Sequence, residues 1–386
     1  MNTRPIRVAM LATDARECFC EYEKTEPYFG QAPEALFQGV PKFSQIEMHV
    51  ISCWKKPMSA PAKLAENIWF HGLVVPRIGW VRTAFQGCVR AARKKIQELK
   101  PDLVHGQGTE RDCAISAVFS GFPNVITIHG NMNALARLFR ARIGTYSWGM
   151  ARLEDFTLKR TDGVFCNSAY TERLVRHRTT RTWRVPNAIR STFFEAGPSA
   201  TSSDEAVLVN VGVISERKRQ LELLRLAREL HRDAKFELWF VGKADQSAYA
   251  ARFLDEVRSA EKGGWARYLG VQSGEQLVQT FNKADGMIHF PSEEAFGLVV
   301  AEGLARNLKF FGSKVGGIVE IASDVEAAEL IDPDDWETLT VRIRNWIEAG
   351  HPRAQLAAEK IRQRYHPEAI MKQHVTIYEE VLRTCS

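Results

Sequence analysis

Residues 290–305 read Phe290-Pro-Ser-Glu-Glu-Ala-Phe-Gly-Leu-Val-Val-Ala-Glu-Gly-Leu-Ala305. The residues leading into this stretch, Gly286 to Phe290, are short and apolar, as a buried parallel strand requires. Pro291 and Ser292 end that strand, and a helix is predicted to begin near Phe296-Gly297-Leu298. A helix start carries backbone N–H groups without intrahelical partners, which favours an anion, and a glycine there lets the anion approach closely. Glu294 lies just before the start and Glu302 eight residues later, a little over two turns on. Such carboxylates can accept hydrogen bonds from the vicinal hydroxyls of a ribose or sugar ring. They can equally be an N-cap acid and a solvated helix glutamate, and spacing alone leaves both readings open.

The same strand-then-helix rhythm extends in both directions. Upstream it predicts strands over 207–211, 236–241 and 267–269, with helices over 220–230, 248–261 and 275–281. In the first half it predicts strands over 6–11, 47–53, 103–105, 124–128, 163–166 and 182–185. Pro33 to Gln38 opens a helix there. A longer helix carries Phe85, Val89, Ala92, Ile96 and Leu99 at spacings of four and three. From Pro333 onward the chain is nearly all helix, with breaks at Gly350-His351-Pro352 and His366-Pro367. Alternation of this kind predicts parallel sheets covered on both faces. Glu195 to Ala206 is small, polar and Pro/Gly-bearing, and reads as a linker.

The 386 residues are 45% hydrophobic and 25% charged, which excludes a largely disordered chain and suits two or three domains. No apolar run approaches the ~18 residues of a membrane span. The N-terminus enters a strand directly, without a signal-peptide core, so a cytoplasmic location is expected. Cys18, Cys20, Cys53, Cys88, Cys113, Cys166 and Cys385 are scattered and odd in number, and reduced structural thiols are expected. Residues 1–195 carry 28 Lys and Arg against 17 Asp and Glu, a net of +11; the remainder carries 24 against 29, a net of −5. A basic half joined to an acidic half suggests two domains with different clients, the basic one favouring something anionic.

Glu294-x7-Glu302 with its internal Phe-Gly-Leu, followed by Gly316-Gly317-Ile318 and Glu320, resembles the signature of the retaining family-4 glycosyltransferases. The resemblance implies an α/β chain of GT-B fold, two Rossmann-like doubly wound domains facing a central cleft. The expected domains are 1–193, completed by the closing helix 366–386, and 197–365. It implies transfer of a sugar from a nucleotide-diphosphate sugar to a hydroxyl acceptor. In that family the glutamate matching Glu302 holds the donor ribose and the one matching Glu294 contacts the transferred sugar. Backbone amides matching Phe296, Gly297 and Leu298 hold the diphosphate. Gly212 and Lys218 match a phosphate-facing strand end, although Val213 stands where the family has arginine; Arg217 or Arg219 could substitute. Leu269-Gly270-Val271 resembles the strand end that meets the nucleotide base.

In the first half, Ile126-Thr127-Ile128-His129-Gly130 resembles the family's strand-end histidine, which makes His129 a catalytic candidate with Glu294. Gly30 stands where the family has its flexible glycine loop. His105-Gly106-Gln107-Gly108 ends another strand, and His105 and Gln107 are expected to meet the acceptor, a saccharide or a lipid-linked one. It is not a dinucleotide fingerprint, because Arg111 fills the third glycine position. No cofactor and no metal are expected, since a helix N-terminus with Lys218 can stabilise a leaving diphosphate. Arg90, Arg93, Lys94 and Lys95 on one helix, and Arg137, Phe139, Arg140 and Arg142 further on, are either solvated faces or contacts for the inner face of an anionic membrane. The alternatives are a nucleotide-sugar epimerase of the same fold and a nucleic-acid-binding protein. The second leaves the glutamates unexplained, and no nucleic-acid partner is expected.

Overall fold

The computed structural model describes residues 4–195 and 205–385, and most of the linker lies outside them. The chain divides into two compact units, Met1–Arg190 with His366–Ser386, and Ser191–Tyr365.

The N-terminal unit holds eight strands: β1 (Ile6–Leu11), β2 (Ile46–Trp54), β3 (Lys63–Ala65), β4 (Ile68–Val74), β5 (Leu103–Gln107), β6 (Asn124–Ile128), β7 (Gly163–Cys166) and β8 (Thr182–Arg184). Their order is β3-β4-β2-β1-β5-β6-β7-β8. Every pairing is parallel except the short β3, which runs antiparallel along β4. β5, β6 and β7 are buried along their whole length, as strands covered by helices on both faces must be.

The closing helix, Pro367–Cys385, packs on this sheet and on helix Gln31–Gly39. Their approach is close enough that a Cβ on Gly39 would lie 2.4 Å from the Pro367 carbonyl oxygen. Tyr378 carries its hydroxyl to His105 Nδ1 at 2.7 Å, while His105 Nε2 meets Thr127 Oγ1, also at 2.7 Å.

The C-terminal unit holds six strands: β9 (Ala206–Val211), β10 (Phe236–Val241), β11 (Ala266–Gly270), β12 (Gly286–His289), β13 (Lys309–Ser313) and β14 (Ala328–Ile331). They are ordered β11-β10-β9-β12-β13-β14 and all pairings are parallel. Helix Gln220–Leu230 turns Leu221, Leu224, Ala227 and Leu230 inward, the spacing of three and four that lays one helical face on a sheet. Helix Gly274–Lys283 starts at a capping box, Ser273 with Gln276, which satisfies two N–H groups that would otherwise lack partners.

The strand order reverses between β9 and β12: the chain builds outward from β9 through β10 to β11, then returns to β9's other side. The carboxyl ends of β9 and β12 therefore diverge into a crevice, the place where open α/β sheets hold ligands. Asn210 fastens the two strands there, donating from Nδ2 to the Ile288 carbonyl at 2.8 Å.

Tyr378→Phe would leave a buried His105 nitrogen without its partner. We expect a loss of about 1–3 kcal/mol in unfolding free energy, measured by urea denaturation; an unchanged midpoint and slope would refute the role given to this bond.

Candidate active site

The crevice brings together two loops that are far apart in sequence. After β9 the chain turns through Gly212 to Lys218; after β12 it runs through Pro291 to Gly297. Ser292 N–H donates to the Arg217 carbonyl at 2.9 Å, so backbone staples one loop to the other. Lys218 Nζ then reaches the Glu294 carboxylate directly. His289, the last residue of β12, completes the group. Its Nε2 lies 3.2 Å from Glu294 Oε2 and 3.3 Å from Lys218 Nζ.

All three are largely withdrawn from water, His289 almost entirely (1% exposed). Burial, then the Lys218 charge, lowers His289 to about 4, so the imidazole is neutral at physiological pH. Burial also lowers Lys218, against the pull of Glu294. For Glu294, burial alone would raise the carboxyl, but Lys218 and then His289 hold it well below the usual carboxylate range. The group thus carries one positive and one negative charge around a neutral ring. His289 Nδ1 has no hydrogen-bond partner among the described residues.

The Gly316-Gly317 pair has a mechanical reason. A Cβ on Gly316 would fall 1.7 Å from the Glu294 carbonyl oxygen, and one on Gly317 would fall 2.6 Å from Phe296 Cα. Gly317 N–H also donates to the Glu294 carbonyl at 3.1 Å. Two bare residues therefore back the loop that holds Glu294. Gly297 caps helix Leu298–Leu304 at φ 100°, a conformation that favours glycine. Phe296 is buried edge-on to Tyr365. Glu302 is buried within that helix. Val271 is exposed just past β11, on the same carboxyl edge of the sheet.

Arg217 and Arg219 are both engaged elsewhere. Arg217 donates to the Glu293 carbonyl at 2.8 Å, and Arg219 pairs with Asp334 at 2.7 Å. Asp334 belongs to an Asp-x-Asp tripeptide, Asp332-Pro333-Asp334, which corrects the expectation of no metal in so far as it rested on the chain having no such motif; its acids are exposed, ahead of helix Trp336–Glu348. Among the described residues, the one cluster with metal-ligand geometry is Cys53, Cys88 and Asp112, all buried in the N-terminal unit. Cys53 donates toward the Cys88 carbonyl, and the neighbouring Cys88 thiol, with burial, pushes the Cys53 thiol well up.

In the N-terminal unit, His129 and Gln107 sit at neighbouring strand ends. His129 Nε2 donates to Gln107 Oε1 at 2.9 Å. Burial lowers His129 to about 4, against a side-chain hydrogen bond to Asn187. A cavity of about 20 Å³ lies beside them, lined in part by Asn187 and His374. Gly30 begins helix Gln31–Gly39 at φ 84°, and a Cβ there would meet open space.

His105 corrects the expectation that it meets the acceptor. It is fully buried between Tyr378 and Thr127. It stands two residues, roughly 7 Å, back from the strand end. Gln107, at that end, keeps a place beside His129. Sequence reasoning missed His289, which was read as part of the apolar run Met287 to Phe290. Its signal was a ring nitrogen donor at the last position of a strand otherwise apolar.

Two family models match the chain: "Glycosyl transferases group 1" over residues 193–364 and "Glycosyltransferase Family 4" over residues 44–192. Sucrose-phosphate synthase from Thermosynechococcus elongatus superposes with a TM-score of 0.77 at 17% identity, covering 98% of this chain and 99% of that one. HepE from Anabaena, in complex with UDP and glucose, gives 0.71 at 15% identity over 97% and 99%. Among curated proteins, N-acetyl-alpha-D-glucosaminyl L-malate synthase of Bacillus anthracis is 22% identical over 185 residues, 47% of either chain. The match thus spans about half the length of that relative. With the two models joined end to end from residue 44 to 364, the chain belongs to the family-4 glycosyltransferases of GT-B fold.

Histidines withdrawn from water, His105 among them, make the folded chain acid-sensitive. Burial holds His129, His289 and His374 near 4, below the ordinary 6.5. Above pH 6.5 both folded and unfolded chains carry them neutral. As pH falls through 6.5, the unfolded chain takes up protons that the folded one refuses, so stability declines down to about pH 4. Each group contributes about 1.4 kcal/mol per pH unit in that window. Glu294, depressed in the fold, adds its loss only below 4.5. Urea midpoints measured from pH 7.5 to 4.5 should fall steeply below 6.5, and a flat profile would contradict this assignment.

Proposed function

We propose that the protein is a retaining glycosyltransferase that moves a sugar from a nucleoside diphosphate donor to a hydroxyl acceptor. The observation that carries the reading is the Lys218–His289–Glu294 group, set in the β9–β12 crevice against the Gly297 helix start. In this reading the C-terminal unit holds the donor. Glu302 accepts from the ribose hydroxyls, and the backbone at Val271 meets the base. The backbone at Gly212, Phe296, Gly297 and Leu298, with the Lys218 ammonium, holds the diphosphate. Glu294 accepts from hydroxyls of the transferred sugar. By the family resemblance, Gly30 and His129 of the N-terminal unit keep a role in the transfer and Gln107 a role in acceptor binding.

The chemistry breaks the bond from the anomeric carbon to the diphosphate oxygen and forms one to the acceptor oxygen on the same face. The acceptor proton passes to an oxygen of the departing diphosphate. Lys218 and the fixed N–H groups stabilise the negative charge that grows on that leaving group, as preorganised dipoles do in a site closed to water. Neutral His289 adds no charge there, so Lys218 remains the cation the diphosphate meets.

UDP is the first nucleotide to test, because HepE is described in complex with it. The acceptor fits a saccharide or a lipid-linked sugar of cell-surface polysaccharide or glycolipid synthesis, at the cytoplasmic face. No helix among the described residues is long and apolar enough to cross a membrane.

Glu302→Gln should weaken UDP binding by about 1.5–3 kcal/mol, the worth of a hydrogen bond to a charged group. Calorimetry showing unchanged affinity in a variant of normal melting temperature would remove Glu302 from the ribose site. Transfer is also expected to persist in excess EDTA. Activity lost in EDTA and restored by magnesium or manganese would replace the Lys218 mechanism with a metal-assisted one, and Asp332 and Asp334 would be examined first.

A further inference from the structure

We propose that an apolar groove on the N-terminal unit docks the protein on an anionic lipid bilayer. The groove, about 630 Å³, lies among Val81, Phe119, Tyr146, Trp148, Leu153 and Phe156. Arg152 is the one charged residue that lines it, its guanidinium 5.7 Å from the centre of the Trp148 ring. The volume falls within the range of about 300–1,000 Å³ that takes small apolar ligands.

The groove does not stand alone. The turn between helices Met132–Leu138 and Tyr146–Leu158 holds Phe139 (64% exposed) and Ile143 (84% exposed), and Ile78 (76% exposed) stands ahead of Val81. Soluble surfaces carry single exposed apolar residues routinely, but large side chains gathered around an apolar concavity mark an interaction site. Interleaved with them are Arg77, Arg82, Arg137, Arg140 and Arg142, all exposed. No acidic residue occurs between residues 72 and 97, or between 131 and 153.

That combination selects the occupant. Apolar side chains with arginines between them suit the interface of a bilayer, where rings and aliphatic chains enter the acyl boundary and guanidinium groups stay among phosphates. A second copy of this chain is disfavoured, since a two-fold contact would set the same arginines against themselves. A polynucleotide would meet the arginines but leave the apolar concavity unused.

Of the two basic clusters the sequence offers for such a surface, the groove lies with the second, Arg137 to Arg142. On helix Gln86–Leu99, which carries the first cluster, Lys95 is half-buried and paired with Glu98 at 2.6 Å. The groove is tied to the proposed acceptor end of the same unit. Tyr146 donates its hydroxyl to the Glu110 carbonyl at 2.8 Å, and the Glu110 carboxylate accepts from Gly130 N–H, beside His129, at 2.9 Å. The inference goes beyond the transfer reaction, and its test needs no turnover, so its failure would leave the donor assignments standing.

The test is co-sedimentation of the whole protein with phosphatidylcholine vesicles, with and without phosphatidylglycerol. Binding to the anionic vesicles only is expected, fading with salt as the Debye length shrinks below ~8 Å. Each arginine at such a surface is worth about fivefold in partition, so Arg140→Gln with Arg142→Gln and Arg152→Gln should lower it about a hundredfold. Phe139→Asp with Ile143→Asp should abolish it. These positions are exposed, and melting temperatures should stay near wild type. The proposal is overturned by no binding, by equal binding to neutral vesicles, or by indifference to the aspartate pair. It is equally overturned if Arg90→Gln with Arg93→Gln and Lys94→Gln matches the groove variant's loss, or if sedimentation shows a dimer that the aspartate pair dissolves.

Discussion

The C-terminal unit depends on β9 and β12 lying side by side although the chain visits two other strands between them. Nothing local enforces that adjacency. It comes from burial: β9 is apolar on both faces, with Asn210 its one polar side chain, and that amide donates from Nδ2 to Ile288, while its Oδ1 has no partner among the described residues. Any other neighbour for β9 would have to supply a carbonyl at that position or leave a buried amide unpaired, at about 1–3 kcal/mol. Once the strands are fixed, the loops beyond them must converge, and the Lys218–Glu294 pair follows from the topology.

That pair adds little to net stability. Taking an ammonium and a carboxylate out of water costs about as much as their attraction returns, whereas deleting one partner strands the other, at about 3–5 kcal/mol. Its value lies in keeping two charges ready in a crevice largely withdrawn from water. In the proposed reaction Lys218 passes from one anion to another rather than from water to an anion. Less solvent then needs to reorganise when the diphosphate arrives. His289, neutral and wedged against both, fixes the distance without altering the charge balance.

Much of this was legible in the sequence, and the exceptions have physical reasons. Helix 220–230 and strands 6–11, 124–128, 163–166 and 236–241 stand where periodicity and breakers put them. The periodicity does not single out β13 or β14, since both are short and Ala-Glu-Leu-Ile at the sheet edge carries no alternation. β4 does not stand out either, since Trp69, His71 and Gly72 interrupt its apolar residues. The glutamates, the Phe-Gly-Leu turn and the Gly-Gly pair were recognisable by resemblance, but why glycine is needed at 316 and 317 appears only when Glu294 is seen against them. His105 and His289 were misjudged in opposite directions, because depth along a strand does not show in residue type.

The closing helix raises a matter of timing. The N-terminal unit takes its last helix from residues 367–385, and Tyr378 sits in its interior. During synthesis the ribosome must deliver the whole C-terminal unit before that helix exists. Chains generally fold domain by domain as they emerge, but here the first-made sheet waits with Phe165, His105 and the flank of helix Gln31–Gly39 uncovered. The second-made unit has its six strands earlier, relative to its own completion. A chain cut short ahead of Pro367 would carry an N-terminal unit with an open core and a C-terminal unit with all six of its strands, a species that protein quality control, rather than refolding, would meet first.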